Sequence, residues 1–121
     1  MLTLPSSVKI HLATTSVDMR LGIDGLMAVV RNIWQADPFS GHLFVFPSGR
    51  RDRVKILVWD RGGFVLYYKR LERGRFQLPA LSPQQPSVEL DCVELSMLLD
   101  GIPYAAVPRG RRWQPAERPA A

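Results

Sequence analysis

Three runs rich in branched and aromatic side chains follow one another almost without interruption: HLFVFP from His42, RVKILVWD from Arg53 and GFVLYYKRL from Gly63. Such runs predict strands. The links SGRRD and RGG have hairpin length and supply glycine for positive φ, so an antiparallel meander is the simplest topology. In the second run Val54, Ile56 and Val58 share a face and leave Arg53, Lys55, Leu57 and Trp59 on the other. In the third, Phe64, Leu66 and Tyr68 oppose Val65, Tyr67 and Lys69. Both faces carry aromatics, so the second face is also expected to be covered.

The flanking sequence supplies the cover. VKIHLATT, from Val8, alternates with period two and predicts a first strand. After it Ile23, Leu26, Met27, Val30, Ile33 and Trp34 recur at three and four residues, which predicts a helix from Ile23 to Trp34. Gly22 and Gly25 would each cost about 1 kcal/mol inside it, so Asp18 to Gly22 is expected to form a separate turn. ADPFSGH ends this helix, and LPALSPQQPS is a connector with little scope for regular structure. VEL, from Val88, reads as a short strand. Asp91 with Glu94 then makes a capping box for a second helix with apolar residues Val93, Leu95, Leu98 and Leu99, and Gly101 is placed to end it. The reading is α+β: one domain over 1–102, an antiparallel meander or partly curled sheet with two helices, followed by a flexible Pro/Arg-rich tail over 103–121.

Charge narrows the functional classes. Between Arg50 and Arg75 stand seven Arg and two Lys against Asp52, Asp60 and Glu72, whereas the rest of the chain is close to neutral. The net charge of +5 therefore comes from one segment, and it marks a local positive field. Thirteen Arg against three Lys suits bidentate contact with phosphate or carboxylate. The aromatics Trp59, Phe64, Tyr67, Tyr68 and Phe76 are assigned to the core. The arginines are assigned to an anionic partner, because edge protection alone does not require so many.

Other chemistries have weaker support. His11, His42 and Cys92 are singletons without metal-ligand spacing, so no metal or cofactor is expected. PFSGH is no nucleophile elbow, and RLGIDG lacks the spacing of a phosphate loop or dinucleotide fingerprint. A magnesium-dependent nuclease would need separated carboxylates such as Asp18, Asp60 and Glu72, yet each has a local role as cap, turn former or ion partner. No apolar run approaches the roughly 20 residues of a membrane span, and the N-terminus has no signal layout, so a cytoplasmic location is expected.

VDMRLGIDGL, DPFSGHLFVFPSGRRDRVKILVWDRGGFVLYYKRLERGRFQLP and LSMLLDGI, in unbroken order, resemble the accessory protein TnpB, the second open reading frame, of the insertion-sequence-sixty-six family of bacterial transposable elements. Where that family commonly has Lys after DMR, this chain has Leu21. The resemblance implies a non-enzymatic accessory protein working beside a large DDE-type transposase, which carries the catalytic carboxylates. On this reading Arg50, Arg51, Arg53, Lys55, Lys69, Arg70, Arg73 and Arg75 contact phosphates of element DNA, with Arg109, Arg111 and Arg112 in the tail as auxiliaries. The alternative is a protein-interaction module that docks the transposase or another accessory subunit and does not itself bind DNA.

Overall fold

The computed structural model describes residues 7–101. The elements run β1 (Ile10–Ala13), α1 (Ile23–Ala28), β2 (Leu43–Pro47), β3 (Arg53–Asp60), β4 (Gly63–Arg70), β5 (Ser87–Leu90) and α2 (Cys92–Leu99). They build an open five-stranded sheet in the order β4-β3-β2-β1-β5. The expected meander holds for β2, β3 and β4, which pair antiparallel. β1 departs from it by lying parallel to β2, because the chain returns through the α1 crossover, and β5 pairs antiparallel with β1. The tail expected over 103–121, Arg109, Arg111 and Arg112 with it, lies outside the described residues.

Helices cover both faces. On one, Ile10, Leu12, Leu43, Val45, Val54 and Ile56 pack with Leu95, Leu98 and Leu99 of α2 and with Phe76. On the other, Phe44, Phe46 and Leu57 pack with Leu26 and Val30. Each fully buried Leu, Val or Phe contributes on the order of 1.5–3 kcal/mol relative to exposure, so both layers hold the sheet in place. The expected α2 residues Leu95, Leu98 and Leu99 are buried, whereas Val93 is exposed.

Local sequence explains the ends. The capping box forms: Glu94 N donates to Asp91 Oδ1 at 2.8 Å and Asp91 N to Glu94 Oε1 at 2.9 Å. α1 continues into a π-helical stretch, Val29–Ile33, in which Trp34 N donates to Val29 O. This wider turn changes the angular step of the helix and leaves Ile33 exposed, although its spacing places it on the apolar stripe. Between β3 and β4, Arg61 (φ 49) and Gly62 (φ 87) form the left-handed pair of a two-residue hairpin.

Candidate nucleic-acid interface

The core places the arginines. The loop after β2 folds back through Ser48 N to Arg53 O (2.8 Å), and the segment after β4 is tied to it by Leu71 N to Asp52 O (2.8 Å) and Phe76 N to Arg51 O (2.6 Å). The buried Phe76 ring anchors that second segment in the core. Arg50, Arg51, Arg53, Arg70, Arg73 and Arg75 are thereby gathered at the end of the sheet opposite the β3–β4 hairpin turn. Over 48–53 and 70–76, six arginines face only Asp52 and Glu72 as acids.

Those six are not equivalent. Arg53 and Arg70 stand directly opposite in the β3–β4 ladder, where like charges repel. Each has an acid beside it: Arg53 Nε is 3.7 Å from Asp52, and Arg70 Nε donates to Glu72 Oε2 at 3.0 Å. The Glu72 hydrogen bond, reinforced by its charge, raises the Arg70 pKa above the ordinary guanidinium value. Arg50, Arg51, Arg73 and Arg75 are exposed, and their guanidinium groups have no acceptor or ion partner among the described residues. Arg51 moreover adopts φ 62, a left-handed conformation that costs a non-glycine residue about 1–2 kcal/mol.

The two lysines have a different position. Lys55 Nζ donates to Met19 O and Leu21 O, both at 2.8 Å, and lies 5.4 Å from the Tyr68 ring centroid. It pins the turn before α1 to the sheet. Lys69 Nζ donates to Leu99 O at 2.5 Å, where the unsatisfied carbonyls and negative dipole end of α2 favour a cation. Both ammonium groups are committed to backbone carbonyls. The sequence pattern carried no sign of this, because their acceptors lie 30 or more residues away.

Other residues that carried the resemblance also have folding roles. Asp18 accepts from the backbone N and guanidinium of Arg20, which holds its carboxyl down to about 2. Asp37 Oδ1 accepts from Phe39 N in an Asx turn, and Phe39, Trp59 and Phe64 form an aromatic trio with centroids 5.0–5.1 Å apart. The assignment of aromatics to the core holds for Phe76 and in part for Trp59 and Phe64, but Tyr67 and Tyr68 are exposed because they lie on the edge strand β4.

The candidate carboxylates do not form a cluster: among the described residues no group of three His, Cys, Asp or Glu side chains is placed to hold a metal ion. His11 and His42 meet edge to face at 5.8 Å, with burial lowering the His11 pKa. Among the described residues no helix is long and apolar enough to cross a membrane.

A family model described as IS66 Orf2 like protein matches residues 8–109. An uncharacterized protein of Sinorhizobium fredii, y4jC, is 36% identical over 112 residues, covering 93% of this chain and 91% of its own length. A second uncharacterized protein of that organism, y4hO, is 38% identical over 104 residues, covering 84% of this chain and 88% of its own. No solved structure matches.

Proposed function

The chain belongs to the IS66 Orf2-like family, which has an accessory role in transposition, and from that premise we propose that it contacts element DNA through the arginine end of its sheet. The observation that carries this reading is the contrast among its basic side chains. Lys55 and Lys69 are held by carbonyls, and Arg53 and Arg70 stand beside acids, whereas Arg50, Arg51, Arg73 and Arg75 are left open to solvent together. Guanidinium groups on one surface neutralise phosphates and release counterions, giving affinity with little sequence reading. The large transposase of the element supplies catalysis in this scheme, and this chain supplies DNA contact.

A salt-titrated binding assay tests the reading. With four phosphate contacts, log K should fall against log salt with a slope of about −3.6, at roughly −0.9 per contact. Arg50→Ala/Arg73→Ala/Arg75→Ala should bind weakly with a shallow slope while remaining folded. Undetectable or salt-insensitive binding by the wild type to duplex and single-stranded DNA would overturn it. A second reading, docking of the transposase or another accessory subunit, draws on the edge of β4, which has no strand partner among the described residues and where Val65, Tyr67 and Tyr68 are exposed. A complex with purified transposase that survives nuclease, together with no DNA shift by the isolated protein, would favour that second reading.

A further inference from the structure

The carboxyl ends of β1 and β2 lie side by side because the two strands are parallel, so the loops that follow them meet there. A cleft of about 150 Å³ opens there between Thr15, Ser16, Gly49 and Arg51, with Leu78 and Leu81 on its apolar side. Among the described residues no acid lines it. Among the described residues, the backbone N–H groups of Thr15, Ser16 and Gly49 have no acceptor, and neither do the hydroxyls of Thr15 and Ser16. The neighbouring polar groups are already used: the Thr14 hydroxyl donates to Gln85 O, and the Ser48 hydroxyl bonds Asp52 and the Arg53 N–H. What remains is a set of donors, with one guanidinium, at a concave site.

Size and sign define the ligand. At about 30 Å³ per water the cleft holds the equivalent of about five waters, well below the roughly 300 Å³ at which pockets begin to enclose whole small molecules. A tetrahedral anion with some of its water matches that volume. Successive free N–H groups in a turn, with hydroxyls and arginine, are the usual means of holding such an anion. We infer that the cleft seats one phosphate group of DNA, on the β1–β2 side of the arginine end, where Arg51 borders it. The inference rests on the DNA-contact reading and adds to it a defined seat in which Thr15, Ser16 and Gly49, none of them basic, join Arg51.

Gly49 gives the test. A Cβ built there would lie 3.6 Å from Ser16 Oγ, in ordinary contact, so Gly49→Val projects its methyl groups between the two strand ends without removing any arginine. Amide spectra of the labelled full chain, titrated with inorganic phosphate against chloride at constant ionic strength, should show saturable shifts at Thr15, Ser16 and Gly49. Gly49→Val should abolish the shifts remaining at Thr15 and Ser16. On duplex DNA it should weaken binding by about one counterion-releasing contact, making the salt slope shallower by roughly 0.9. Ser16→Asp, at an exposed position, should reproduce the loss by charge and covers the case in which Gly49→Val does not fold. Phosphate shifts spread over the arginines without saturation at the cleft, with Gly49→Val and Ser16→Asp binding DNA like the wild type, would overturn the seat and leave the arginine surface standing. Saturable phosphate shifts in a wild type that binds no DNA would instead overturn the assignment of the seat to DNA, along with the wider reading.

Discussion

Replacing Lys55 by Met separates stability from DNA contact at a single basic position. Met keeps most of the apolar stem and removes the ammonium, which donates to Met19 O and Leu21 O at 2.8 Å each. A hydrogen bond from a charged donor contributes about 1.5–3 kcal/mol net, but Lys55 is only half-buried and water can replace part of what is lost. The two bonds together are therefore worth about 2 kcal/mol. For a domain of this size that corresponds to a fall in Tm of about 8–16 °C. Urea and thermal unfolding followed by circular dichroism would read it, with DNA affinity measured at a temperature where the variant is folded. The expected pattern is a clear loss of stability with wild-type affinity. A destabilisation below about 0.5 kcal/mol, or an affinity loss equal to that of Arg75→Ala, would refute the assignment of this side chain to the fold.

Arg51→Gly should show the reverse pattern: relief of the left-handed conformation offsets the entropy cost of glycine and stabilises the fold by up to about 1 kcal/mol, while DNA affinity drops. Asp91→Ala removes the N-cap of α2 and should cost about 1 kcal/mol in denaturant unfolding without changing DNA affinity. The pH dependence follows His11. Burial, the largest cause, lowers its pKa below 6.5, against the raising effect of Glu89, so the unfolded chain binds more protons as pH falls through the unfolded value. Its penalty is absent above about pH 6.5 and fully present once pH is below the folded value. Tm should decline on acidification through that window, and His11→Phe, next to Phe44, should flatten this part of the profile.

Local signals were legible where a residue's role is set by its neighbours in sequence. The Asp91 and Glu94 box and the Gly101 stop (φ 75) formed where their spacing placed them, and the RGG link makes a hairpin with glycine at positive φ. The strand runs were equally clear. The parallel placement of β1 was not, since a period of two reads the same for either direction of pairing. Helical spacing likewise counted Ile33 as core because nothing in it announces a π turn. At the site, composition identified the arginine concentration but treated every cation alike. Only the fold separates Lys55 and Lys69, held by distant carbonyls, from Arg50, Arg51, Arg73 and Arg75. Thr15, Ser16 and Gly49 gave no sequence signal, because their significance comes from two strand ends meeting.

The Lys69 bond to Leu99 O joins more than a strand to a helix. β5 is followed directly by α2 through Asp91, and α2 ends on a side chain of β4, so the two margins of the sheet are linked across its face by one helix. Either margin alone would be expected to fray as an independent, low-energy opening. With this brace, peeling β4 away pulls on the end of α2, and lifting α2 loosens the segment that continues from β5. Amide protons in β4 and β5 should therefore exchange with similar free energies of opening, as one cooperative unit, and Lys69→Met should split them into two.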